Sequence, residues 1–261
     1  MPSFHHSRRR RAFAPLILVA FVMACDASSA STTQRGFASL AAAPAPYVVD
    51  TIFQPGRIEG RVEVPLDSQA VKLAAGGAAA GDPCAPRPRT VRVAGDDALV
   101  VWVDDARRGR PLPMERRSQI TVERCAITPA VQVAYTGGTL NVRTFDDSAH
   151  VLWFTSRNGT GDSTRVPLLE SGGVVPLSRM LVAPGVIEVH CARHAWERAW
   201  IAVFDQPYVT MTAADGSFVI DSLPEGEFTV AAWSPVYGIG RATTSVTANA
   251  SSPVVVRFDD E

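Results

Sequence analysis

Gly185-Val186-Ile187-Glu188-Val189-His190-Cys191-Ala192-Arg193-His194 is the stretch on which the reading of this chain turns. Alternate residues of a strand share a face. Ile187, Val189 and Cys191 would therefore point one way, and Glu188 and His190 the other. Cys191-x-x-His194 stands at the end of this strand, where a turn can bring His194 back toward the thiol. His150 lies earlier, just after Phe145-Asp146-Asp147-Ser148-Ala149. One distant His followed by Cys-x-x-His on a later strand suits a single metal ion. The motif alone is weak evidence, because zinc sites use the same residue types.

The surrounding chain reads as all-β. Short alternating or apolar runs are separated by turn residues, and no long stretch has helical periodicity. Candidate strands are Arg57 to Val64, Ala98 to Val103, Val131 to Tyr135, Thr139 to Arg143, Gly185 to Cys191 and Ala199 to Phe204. A Gly/Ala/Pro-rich excursion at 74–88 carries Cys84. The expected organisation is a leader (1–24), a tether (25–56), an N-terminal β region (57–118), the motif-bearing domain (119–205) and a separate short-strand unit (206–261).

The first residues look like an export signal. The basic run Arg8 to Arg11 precedes an apolar stretch, Ala12 to Ala24, that is too short to span a bilayer. It ends Val22-Met23-Ala24-Cys25, which resembles a bacterial lipobox and implies lipidation of Cys25. A competing cut after Ala30 would release a soluble periplasmic protein. The Ala/Ser/Thr/Pro-rich residues 26–46 read as a flexible tether to the membrane. The chain has 25 basic and 26 acidic residues, and four of the basic ones are in the leader, so the remainder is net acidic. Nucleic acid is not an expected partner, since it calls for a basic face.

Cysteine usage follows from export into an oxidising compartment. The four are Cys25, Cys84, Cys125 and Cys191. With Cys25 lipidated and Cys191 in the metal-like motif, Cys84 and Cys125 are left as a bridge. The rival pairings run through Cys191.

His150, Cys191 and His194 follow the ligand order of the plastocyanin-like cupredoxins. A trigonal His2Cys site with a weak axial ligand is the blue-copper arrangement. Further stretches strengthen the resemblance: Val122 to Pro129, Gly137 to Val142, Asp146 to His150, Pro184-Gly185-Val186 and Cys191 to Trp196, with Asp82-Pro83-Cys84 and Gly109 to Pro113. Together, over roughly residues 57–240, they resemble exported bacterial proteins that couple a cupredoxin-like domain to a carboxypeptidase-regulatory-like domain. The resemblance implies a Greek-key sandwich with copper at one end. The chain departs from that pattern twice. Val151 replaces an Asn after the first His, and Glu197 stands where a Met follows the second. Glu197 is either an oxygen axial ligand, favouring Cu(II), or a solvated surface carboxylate.

The C-terminal unit has its own signature. Thr212 to Ile220 reads as strand, Asp215-Gly216 turn, strand, and Leu223-Pro224-Glu225-Gly226 is a second turn before an alternating run. This resembles the carboxypeptidase-regulatory-like, transthyretin-like sandwich, a fold that says little about chemistry. His190 is expected to face outward beside the site. Trp153, Trp196 and Trp200 are expected in core or rim packing, with an electron-transfer patch as the alternative. Gly161-Asp162-Ser163 is a three-residue match to a hydrolase fragment and carries no weight.

The expectation is therefore an all-β chain: a Greek-key cupredoxin-like sandwich with an N-terminal β extension and a C-terminal transthyretin-like sandwich. It would bind one copper ion through His150, Cys191, His194 and Glu197, and would not be an enzyme. It would pass single electrons to an unknown redox protein through an exposed edge such as that of His194. A lipid at Cys25 would hold it to a membrane, in the periplasm or on the cell surface. The rival functions are a non-redox scaffold with a degenerate metal site, and copper storage or delivery.

Overall fold

The computed structural model describes residues 46–65, 71–72, 84, 90–91, 99–158 and 161–258. Cys25, the leader and the tether up to residue 45 lie outside them, as does most of the 74–88 excursion. In chain order the strands are β1 (Val48–Val49), β2 (Gly56–Glu63), β3 (Val71–Lys72), β4 (Thr90–Val91), β5 (Val100–Val103), β6 (Arg108–Gly109) and β7 (Arg117–Glu123). There follow β8 (Ala126–Thr128), β9 (Val131–Tyr135), β10 (Thr139–Thr144), β11 (His150–Ser156), β12 (Ser163–Leu168), β13 (Val174–Pro176), β14 (Gly185–Cys191) and β15 (Arg198–Phe204). The last are β16 (Val209–Met211), β17 (Ser217–Leu223), β18 (Gly226–Ser234), β19 (Gly238–Val246) and β20 (Ser251–Arg257). The all-β expectation holds. Among the described residues no helix is long and apolar enough to cross a membrane.

Four sheets stack face to face. The first has strand order β13-β10-β7-β8 and the second β12-β11-β14-β15-β9. Their facing sides enclose one core, built on Ile120, Leu140, Val142, Leu152, Phe154, Val189 and Ile201. All nine strands fall between Arg117 and Phe204, and this inner sandwich holds the motif residues. The third sheet runs β16-β5-β18-β19 and the fourth β17-β2-β20. Their shared core contains Ile58, Val101, Val103, Tyr208, Ile220, Val230 and Val256.

The second and third sheets also pack together. Val131, Val186, Ala202 and Phe204 meet Val100, Trp102, Ala231 and Trp233 in a third apolar layer. Strands in this position are covered on both faces and therefore lack polar alternation. Val100 to Val103 are all buried, as are Ala231, Ala232 and Trp233, and both runs are unbroken apolar sequence.

Strands of the expected 57–118 region pair with strands of the expected 206–261 unit. β2 lies between β17 and β20, pairing Ile58 with Ile220 on one edge and Arg57 with Ser251, in parallel, on the other. β5 lies between β16 and β18. The physical reason is edge satisfaction: β2 and β5 expose unpaired backbone groups on two sides until the C-terminal strands arrive. The inner sandwich is thus inserted into an outer one made from both ends of the described chain. The Asp215-Gly216 turn forms, with Ala213 N–H donating to Ser217 O, but it passes the chain between sheets: β16 joins β5 and β17 joins β2. The hairpin of this region is β18–β19, which pairs Ser234 with Gly238 at its tip.

Candidate metal centre

The site lies at one end of the inner sandwich. His150 opens β11, opposite Leu168 of β12, and Cys191 closes β14. The alternation expected of β14 is observed, with Ile187, Val189 and Cys191 buried and Glu188 and His190 half-buried on the other face. After Cys191 the chain turns back on itself. Glu197 N–H donates to His194 O at 3.0 Å, and Cys191 N–H donates to Glu197 O at 3.1 Å. This tight return places His194 and Glu197 over the end of the strand.

Four side chains converge there. His194 Nδ1 is 3.2 Å from His150 Nδ1 and 3.6 Å from Cys191 Sγ, and Cys191 Sγ is 4.0 Å from His150 Nδ1. Glu197 sits against both rings, with Oε2 3.0 Å from His150 Nδ1 and Oε1 3.1 Å from His194 Nδ1. His150 and His194 are fully buried, and Glu197 and Cys191 nearly so. Of the two readings of Glu197, the solvated one fails: the carboxylate belongs to the pocket. The expectation that His194 offers an exposed edge is also corrected. The return of the chain after Cys191 folds His194 inward, and the half-buried ring beside it is Trp196, 5.2 Å away centre to centre.

The donor set suits a cation. Two imidazole nitrogens, a thiol sulfur and a carboxylate face one another without water-exposed surface. Buried polar atoms are ordinarily hydrogen-bonded, yet Glu197 Oε1 and His150 Nε2 make no hydrogen bond. The His150 ring shows the same demand for positive charge. Burial pulls its pKa down, but Cys191 and Glu197 outweigh burial and raise it to about 10. A proton there supplies charge that a metal ion would otherwise bring.

A second layer was not foreseen in the sequence. Asp146, in the β10–β11 connection, presents Oδ2 3.3 Å from His150 Nε2, the ring nitrogen turned away from the pocket. Its carboxylate is itself held, accepting the backbone N–H groups of Arg124 and Cys125. Both of those residues have positive φ, 53° and 60°, which aims their amides together. The only signal in sequence is a carboxylate four residues before the strand-opening His.

Cys84 and Cys125 are disulfide-bonded across 41 residues of sequence, as expected, and Cys191 is not in a bridge. In the chain-entropy account such a closure contributes about 4 kcal/mol. The bridge also abuts the site. Cys84 Sγ and one ligand-type atom each from His150, His194 and Glu197 all lie within 4.8 Å of one another. Cys125 O accepts the indole N–H of Trp196 at 3.2 Å. Trp153 and Trp200, both half-buried, lie on the other side of the second sheet from the pocket: Trp153 stands opposite His190, and Trp200 borders the layer between the sandwiches.

No known protein family matches the chain, and no curated protein sequence does. Similar solved structures cover a third of it. One is a purple cupredoxin from Nitrosopumilus maritimus, 18% identical over 33% of this chain and 98% of that one, with a TM-score of 0.28. Another is amicyanin in a reduced Cu(I) form, 16% identical over 33% and 81%, TM-score 0.29. A third is a copper-containing nitrite reductase from Thermus scotoductus, 17% identical over 36% and 23%, TM-score 0.30. The expectation that the chain is not an enzyme is corrected to this extent: a copper-containing nitrite reductase is among the structures it is similar to, a likeness that does not itself make this chain an enzyme.

Proposed function

We propose that the inner sandwich binds one copper ion through His150, Cys191, His194 and Glu197, and that the ion carries single electrons. The observation behind this reading is the convergence of two Nδ1 atoms, one thiol and one carboxylate in a buried pocket. A thiolate with two imidazoles is the donor set of copper electron-transfer sites. The copper would supply a one-electron couple. The chain's part is to hold the donors rigid while the charge changes, and Glu197 adds an anionic oxygen that favours the more highly charged state. The half-buried indole of Trp196, in ring contact with His194, is the surface-reaching group through which a redox protein would exchange electrons.

Export and lipidation of Cys25 complete the proposal and place the protein on a membrane in the periplasm or at the cell surface. The Cys84–Cys125 bridge supports that location, because disulfides persist in oxidising compartments. The test is copper loading of purified protein. One ion per chain and an intense visible thiolate-to-copper band are expected, with the band lost in Cys191→Ala. Wild-type protein that stays colourless and metal-free after loading with Cu(II) overturns the reading and leaves a scaffold.

A further inference from the structure

Cys84 occupies an unusual place for a structural cysteine. It is buried, and its Sγ belongs to the same cluster as His150, His194 and Glu197, all within 4.8 Å. Its bridge partner is tied to the rest of the site: Cys125 N–H donates to Asp146, and Cys125 O accepts from Trp196. The sulfurs of Cys84 and Cys125 also form a second cluster with the Asp146 carboxylate. A bridge whose purpose was only to staple two loops would have no reason to place its sulfur among buried metal-ligand atoms.

We propose that Cys84 is a redox-conditional metal ligand, which the disulfide withholds and reduction supplies. In the disulfide state Cys84 Sγ is an uncharged wall of the pocket, and Cys191 is the thiolate. A dithiol reductant attacks the bridge, is itself oxidised to a disulfide, and delivers two electrons and two protons that leave Cys84 and Cys125 as thiols. On coordination the Cys84 proton is displaced and released to solvent, since a coordinated thiol binds as thiolate. The sulfur already lies within 4.8 Å of a ligand-type atom of each of His150, His194 and Glu197. Reduction thus offers the His150–His194–Glu197 cluster a thiolate besides Cys191, and its preference moves toward softer ions such as Cu(I) and Zn(II). The proposal rests on the metal-site reading above.

Cobalt(II) is the probe, because it reports thiolate ligation by its near-ultraviolet charge-transfer band and does not oxidise thiols as Cu(II) does. Wild-type protein with its bridge intact should show a band from Cys191, which tests the underlying site. After reduction by a phosphine, the band per bound ion should grow about twofold as one thiolate becomes two. The decisive variant is Cys125→Ala with Cys191→Ser, which leaves Cys84 as a permanent thiol without any reductant. It should show a cobalt–thiolate band, and Cys84→Ala with Cys125→Ala and Cys191→Ser should show none. Phosphine-treated Cys191→Ser gives the same comparison if the double variant does not fold. A band in intact wild type, with no band in either the double variant or reduced Cys191→Ser, overturns the role of Cys84 and leaves the site reading standing. Absence of a band in intact wild type overturns the site reading itself.

Discussion

Asp146 Oδ2 and His150 Nε2 stand 3.3 Å apart, on the side of the imidazole that faces away from the pocket. Nδ1 of the same ring points at Cys191, His194 and Glu197. The pair is not aligned for a hydrogen bond, but a carboxylate so close to Nε2 still draws the proton to that side of the ring and leaves the Nδ1 lone pair for a metal. Outer carboxylates of this kind raise ligand basicity.

Asp146→Ala should therefore weaken metal binding by about 10- to 100-fold. Asp146→Asn should also weaken it, since the amide removes the charge and keeps an acceptor for only one of the Arg124 and Cys125 N–H groups. A chelator-competition titration measures both. Equal affinity for wild type and Asp146→Ala would remove Asp146 from the site.

Glu197→Met should raise the reduction potential, because a neutral thioether stabilises Cu(II) less than a carboxylate does. Since the side chain is 1% exposed, solvent screening cannot account for such a change. The visible and EPR spectra should shift at low and high salt alike. Unchanged spectra would show that the carboxylate is in the pocket but not on the metal.

Trp233 is 1% exposed and sits in the layer between the sandwiches. Trp233→Ala should destabilise the protein by about 3–5 kcal/mol, the range for removing a large aromatic from a core. Chemical denaturation of the metal-free protein checks this. The copper spectrum of the folded variant should be unchanged, because the layer lies on the opposite face of the second sheet.

Gly109 has φ +145°, and a Cβ there would lie 1.8 Å from Tyr208 Oη. That hydroxyl donates to Ser222 O and accepts the Arg110 N–H. Gly109→Ala should cost about 1–3 kcal/mol in backbone strain before any loss of these bonds. A thermal melt lowered by several degrees is expected, and an unchanged melt would show that the loop relaxes freely.

The parts of this fold that local sequence encodes were readable, and the rest was not. The alternation of β14 and the Cys-x-x-His return are local, so the convergence of Cys191 and His194 followed from them. His150 followed from its position at a strand entry. The unbroken apolar run at Val100 to Val103 signalled a strand, but its lack of alternation also marked a strand covered on both faces, and that implication was missed. Glu197 was ambiguous because spacing from His194 does not reveal whether a carboxylate faces water. Asp146 was missed because its role depends on amides from another turn, those of Arg124 and Cys125. Pairing of β2 with β20 leaves no local mark, since neither strand's pattern names its neighbour.

The parallel pairing of Arg57–Glu63 with Ser251–Arg257 has a consequence during synthesis. β2 and β5 leave the ribosome long before the strands that flank them, while every strand of the inner sandwich can pair as soon as residue 204 is made. The inner sandwich is thus free to form first, with the outer strands waiting at its side, and their open edges are then the vulnerable surface. Premature termination just before β20 would leave a protein whose metal pocket is complete but whose fourth sheet has an uncovered edge at Ile58–Val62. Such a fragment should colour with copper and yet self-associate.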